Sequence, residues 1–193
     1  MLELVTGGSG SGKSGYAEEH ICRQHRILSR KAGKPLPLFY IAAMIPRGEE
    51  TEKKIRKHRD ARAGKGFQTL EWHLDIRGRL KAHPMPEGAC VLLECLSNLT
   101  ANELYEPQGA KDAAAEEVTE AVCMLDKHCA AVTVVTNEVF SESSPCVQGQ
   151  EDEMGRYKGI LGEINRRIAA RADQVTEVVC GIPCARKGGG KLN

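Results

Sequence analysis

Leu2-Glu3-Leu4-Val5-Thr6-Gly7-Gly8-Ser9-Gly10-Ser11-Gly12-Lys13-Ser14 is the stretch on which the reading of this chain turns. A short apolar run ends in glycines, and the glycines end in Lys-Ser at the start of a segment with helical spacing. Gly7 to Ser14 fits GxxxxGK[ST], the pattern of a loop that wraps phosphate between a strand and a helix. The glycines let the backbone turn tightly, so that successive N–H groups and the helix N-terminus face an anion. Lys13 would reach the outer phosphates, and Ser14 offers a hydroxyl to Mg²⁺, the expected counter-ion of a triphosphate.

Outward from that loop, apolar β-branched runs alternate with longer charged or Ala-rich segments, the order of βαβ units. Strands are expected over Leu2–Thr6, Leu36–Ala42, Phe67–Glu71, Cys90–Glu94, Ala131–Thr136 and Val175–Cys180. Helices are expected near 13–30, 48–62, 97–104, 112–128 and 154–171. The fold class is therefore α/β, a three-layer P-loop fold with a mostly parallel sheet flanked by helices. Ser141–Asp152, rich in Ser, Gly, Pro and acids, reads as a long loop, and 187–193 as a flexible tail after a single domain over 1–186.

Composition narrows the function. The 193 residues suffice for one core, and 27 Lys plus Arg against 26 Asp plus Glu leave no global field toward nucleic acid or anionic membrane. No apolar run approaches the ~20 residues of a membrane span, so a cytoplasmic protein is expected. The eight cysteines form no CxxC pair and read as reduced thiols.

Two further features belong with the loop. Cys90-Val91-Leu92-Leu93-Glu94 is a strand ending in the carboxylate that P-loop proteins use to help hold the metal. Thr136-Asn137-Glu138 is not the NKxD guanine reader, which disfavours a switch-type GTPase. The second feature is Glu49 to Arg62, EETEKKIRKHRDAR, a helical segment with almost no apolar face and one histidine, His58. Lys54 and Arg62 lie four residues to either side of it and share its face. A neutral imidazole is the nucleophilic form, and those cations would grip a phosphate that it attacks. By local pattern alone, a solvated, salt-bridged helix with a silent histidine is the better reading.

In order and spacing the chain resembles the adenosylcobinamide kinase and adenosylcobinamide-phosphate guanylyltransferase family. The resemblance runs through the P-loop with Ala17-Glu18, Tyr40-Ile41-Ala42, Ile55-x-x-His58-Arg59-x-x-Arg62, Leu92-Leu93-Glu94-Cys95, Val134 to Val139, Ile164-Asn165-x-x-Ile168-Ala169, Ala172-Asp173 and Gly181-Ile182. It departs at Gly10, at Phe140–Asp152 and at Tyr157-Lys158-Gly159, where the family commonly carries other residues. The resemblance implies a RecA-like P-loop fold, a homotrimer, ATP or GTP as phosphate donor, and GTP as donor of GMP to adenosylcobinamide phosphate. It also implies His58 as the covalent guanylyl carrier. Nucleotide contacts would then be Gly7 to Ser14, Ala42-Ala43-Met44, Arg59-Asp60-Ala61-Arg62, Glu71 and Glu94, with Ser14 and Glu94 on the metal. The rival readings are a P-loop kinase of another small molecule, which does not need His58, and a non-catalytic nucleotide-dependent regulator.

Overall fold

The computed structural model describes residues 1–139 and 153–188, and of Ala61 the backbone only. In chain order it runs β1 (Leu2–Thr6), α1 (Lys13–Ala32), β2 (Leu38–Ala42), α2 (Gly48–Arg62), β3 (Gln68–Leu70), α3 (Ile76–Ala82), β4 (Cys90–Glu94) and α4 (Leu96–Tyr105). It continues through a 3-10 turn, Lys111–Ala113, into α5 (Ala114–His128), β5 (Ala131–Val135), α6 (Glu153–Arg171), β6 (Gln174–Val179) and β7 (Ile182–Lys187). The loop expected over 141–152 lies outside the described residues.

These strands read as continuous apolar runs because both faces of the sheet are covered. Every residue of β4 and β5 is buried. Successive side chains point to opposite faces, and the core divides accordingly. Leu2, Leu4, Phe39, Ile41, Val91, Leu93, Val132 and Val134 pack toward α3 to α6, through Ile76, Leu99, Val122, Leu161 and Ile168 among others. The alternate residues Val5, Leu38, Tyr40, Cys90, Leu92 and Val135 pack toward α1 through Ala17 and Ile21. Each fully buried aliphatic side chain contributes about 1.5–3 kcal/mol relative to exposure.

The seven strands lie in the order β3-β2-β4-β5-β1-β6-β7. All pairs are parallel except β6 with β7. This is the three-layer, RecA-like P-loop arrangement. Since β5 separates β1 from β4, the cradle after β1 and Glu94 at the end of β4 stand about 10 Å apart, two strand spacings.

Boundaries shift where a turn or a proline intervenes. β2 begins at Leu38 because Pro37 has no N–H for the ladder, and the Pro37 carbonyl instead accepts from Cys90 N at 2.9 Å. Two elements escape the sequence reading. α3 is short; it is capped by Asp75, whose side chain accepts from Gly78 N at 2.9 Å, and it buries only Ile76 and Leu80. β7, Ile-Pro-Cys-Ala-Arg-Lys, is an edge strand, where proline and exposed cations belong. Lys187, with which the expected tail begins, ends that strand, and its ammonium donates to the Ala169 and Ala170 carbonyls at 3.0 and 2.7 Å.

Candidate nucleotide site at the strand ends

The C-terminal ends of β1, β2 and β4 converge, the place where parallel sheets take ligands. After β1 the chain turns through left-handed glycines, and two of them are required there. A Cβ on Gly7 (φ 154) would sit 2.5 Å from the Val178 carbonyl, and one on Gly12 (φ 91) would lie 3.3 Å from Gly181 Cα. The loop is hooked to its surroundings by its own backbone. Glu138 N donates to Gly7 O at 3.0 Å, Gly181 N to Ser11 O at 2.8 Å, and Ser11 N to Gly8 O at 3.2 Å. Ser9, Gly10 and Gly12 remain exposed, while Gly8, Ser11 and Ser14 are half-buried.

Lys13 is buried and its ammonium donates to Gly8 O at 3.1 Å across the loop. Burial pulls its pKa below the ordinary lysine value, with Cys95 and Glu94 opposing. A desolvated ammonium beside exposed backbone donors is the electrostatic form of a phosphate cradle.

Glu94 is buried at the end of β4, in register with Ala42. Tyr40 Oη donates to its Oε2 at 2.8 Å, and Ala43 N donates to its carbonyl at 3.0 Å. His58 reaches in from α2, its Nδ1 3.8 Å from Glu94 Oε2 and its side chain about a third exposed. Arg62 is buried at the end of α2, with its guanidinium carbon 3.4 Å from the centroid of the Tyr40 ring. Its Nε and Nη1 have no hydrogen-bond partner. Buried guanidinium donors without an acceptor make a place for an anion.

The sequence-selected residues therefore divide. Gly7 to Ser14, Ala42-Ala43-Met44, His58, Arg62 and Glu94 gather at the strand ends. Arg59 turns away to pair with Glu71 at 3.2 Å, both largely exposed, and Asp60 is exposed. Lys54 corrects the expected pair of cations around the histidine: its ammonium is 2.6 Å from Glu50 one turn back, in solvent. A carboxylate at i−4 on an exposed helix captured it, a contact that the shared-face argument ignored.

Sequence reasoning missed four participants. Tyr40 falls in the expected second strand, and the structure turns it toward α1. Glu18 lies one turn beyond Ser14 and is buried, and Lys65, just after α2, reaches its Oε2 at 2.6 Å. Cys95 is buried, with its Sγ 2.9 Å from Ser97 Oγ and accepting from Asn98 Nδ2 at 3.2 Å, and burial pushes its thiol pKa up. Among the described residues, Glu18, His58 and Glu94 form the cluster whose ligand atoms all lie within 4.8 Å of one another. The oxygen donors here, the Ser14 hydroxyl and the Glu94 carboxylate, are of the hard kind that suits Mg²⁺.

A family model described as cobinamide kinase / cobinamide phosphate guanyltransferase matches residues 3–185. The bifunctional adenosylcobalamin biosynthesis protein CobU of Salmonella typhimurium is 33% identical over 94% of this chain and 97% of its own. The protein of the same name from Escherichia coli is 32% identical over the same shares. The bifunctional adenosylcobalamin biosynthesis protein CobP of Pseudomonas aeruginosa is 30% identical over 97% of this chain and 98% of its own. Among solved structures, a KaiC-like protein from the hyperthermophilic archaeon Pyrococcus horikoshii matches at a TM-score of 0.45 and 13% identity, covering 91% of this chain and 71% of that one. With the P-loop, the strand-end glutamate and a match over nearly its whole length, the chain belongs to the cobinamide kinase / cobinamide phosphate guanyltransferase family and is a bifunctional enzyme of that kind.

Proposed function

We propose that His58 is the covalent guanylyl carrier of the transferase step, in which GTP donates GMP to adenosylcobinamide phosphate and pyrophosphate leaves. The observation that carries this reading is the seat of the imidazole. α2 has no apolar face to bury, yet it brings His58 against Glu94 at the strand ends. In this reading Gly7 to Ser14 hold the triphosphate, Ala42 to Met44 line it, and Arg62 offers its two unpartnered nitrogens to phosphate oxygens. Arg59, Asp60, Ala61 and Glu71 complete the nucleotide contacts by family position, which for Arg59 requires that it leave Glu71. Ser14 and Glu94 would hold Mg²⁺, which supplies charge neutralisation of the phosphates when bound.

The kinase step, phosphorylation of the adenosylcobinamide hydroxyl by ATP or GTP, uses the same cradle, because one ammonium serves the outer phosphates in either reaction. A homotrimer sharing its sites between subunits, in the cytoplasm, completes the proposal. Among the described residues no helix is long and apolar enough to cross a membrane. Incubation with α-labelled GTP and Mg²⁺ tests the covalent step. Acid-labile, base-stable label on the chain is expected for a phosphoramidate, and its absence under turnover conditions contradicts the carrier.

A further inference from the structure

Glu18 is 2% exposed, and a buried carboxylate needs partners. One is Lys65, whose ammonium lies 2.6 Å from Glu18 Oε2. Lys65 follows α2 directly, its backbone N donating to Arg62 O at 3.1 Å, so the pair ties the end of α2 to α1. Polar atoms of Glu18, His58 and Glu94 also lie within 4.8 Å of one another. The imidazole thus meets two buried carboxylates, each held by a second residue: Glu18 by Lys65, and Glu94 by Tyr40 at 2.8 Å. Every residue of α2 from Gly48 to Asp60 is exposed or half-buried, so apolar packing does little to fix the ring.

We propose that Glu18, pinned by Lys65, is a positioning residue for His58 in guanylyl transfer; the proposal rests on His58 being the carrier. In that step a bond forms between imidazole Nε2 and the α-phosphorus. The bond from that phosphorus to the bridging oxygen breaks, and its electron pair leaves with pyrophosphate. Nδ1 keeps its proton, so the ring becomes a cationic phosphoramidate until the acceptor phosphate displaces it. Glu94 faces Nδ1, and Glu18 adds a second negative charge beside the same ring. Together they hold the tautomer that leaves Nε2 free and stabilise the positive charge that guanylylation creates. Glu94 is also engaged by Tyr40 and assigned to the metal. Glu18 is held by Lys65 but is not assigned to the metal.

The test is the rate of labelling of the full chain by α-labelled GTP with Mg²⁺, measured against GTP concentration. Glu18→Gln keeps the shape and removes the charge. It is expected to lower the limiting rate about tenfold or more while half-saturating GTP changes by less than about twofold. Lys65→Met should slow labelling by a smaller factor, and the double variant should be no slower than Glu18→Gln, because the lysine acts through the carboxylate. Parent-rate labelling of Glu18→Gln overturns the proposal, as does a rise in half-saturating GTP that matches the loss of rate. If Glu18→Gln fails to fold, parent-rate labelling of Lys65→Met overturns it. His58→Ala is run in parallel: full labelling there defeats the carrier assignment itself, separately from the role of Glu18.

Discussion

Helices α1 and α2 flank the same cleft and are held by opposite means. α1 buries Ala17 and Ile21, four residues apart, against the sheet, and places Lys13 at its first turn under cover. α2 buries Arg62 at its last position and leaves Gly48 to Asp60 exposed or half-buried. Its fastenings are polar: Arg62 on the Tyr40 ring, Arg59 with Glu71, and Lys65 with Glu18 just beyond its end. One helix is part of the core, and the other is docked on it by charge. The cradle is therefore built into the fold, whereas the histidine is delivered to it by a few polar contacts, of which the exposed Arg59–Glu71 pair is the one that salt screens readily.

Breaking the rigid side at its functional end gives the largest effect. Lys13→Ala removes the desolvated charge from the cradle, and both kinase and guanylyltransferase rates are expected to fall by about 10²–10³. Assay of the two reactions in the same preparation checks this, and undiminished GTP turnover would remove the loop from the mechanism. Next comes the packing of that helix. Ile21→Ala empties a fully buried site and should lower unfolding free energy by about 2–5 kcal/mol, read by denaturant titration.

A pH experiment sharpens the contrast further, because α1 also carries a buried polar face. His20 Nε2 lies 3.1 Å from Glu3 Oε2, both nearly fully buried. Burial, with Arg23 second, lowers the His20 pKa to about 4. Burial also raises that of Glu3, so the two face one another with charge suppressed on each. Between about pH 4 and 6.5 the unfolded chain binds the histidine proton and the folded chain does not. The His20 contribution is thus complete above 6.5 and lost toward 4, by up to about 3 kcal/mol. Glu3 acts with opposite sign, its folded form losing stability as pH rises from 4.5 toward its raised value. Comparing parent with His20→Gln at each pH isolates the histidine: the parent's advantage should shrink on acidification through that window.

The smallest effect is expected on α2. Lys54→Ala removes an exposed i,i+4 pair and should change stability by less than about 0.5 kcal/mol and labelling by GTP by less than about twofold. A large loss would restore Lys54 to the phosphate-gripping role that its pairing with Glu50 argues against.

The same contrast explains what the sequence could say. α1 was legible because apolar spacing and a glycine-rich loop are local signals, and β1 and β4 ended where the residues predicted. α2 was legible as a helix, with its bounds at Gly48 and Arg62, but its docking was not. Whether Lys54 turns toward His58 or toward Glu50 is decided by side-chain rotation in solvent, and Tyr40 reaches Glu94 only because β2 lies beside β4 in the sheet. Glu18 and Lys65 are 47 residues apart in sequence, and no local pattern joins them. α3 and β7 escaped because one is a capped helix of only seven residues with two of them buried, and the other is an exposed edge strand that alternation does not mark.

The central claim is that this lightly docked helix carries the covalent chemistry. Mass spectrometry of the chain after GTP and Mg²⁺ tests it most directly, by locating the added GMP and by repeating the search with His58→Ala. The account predicts the adduct on the peptide containing His58 and none in the variant, with triphosphate binding retained because the cradle belongs to α1. An adduct on any other residue, or an equal yield from His58→Ala, would contradict it.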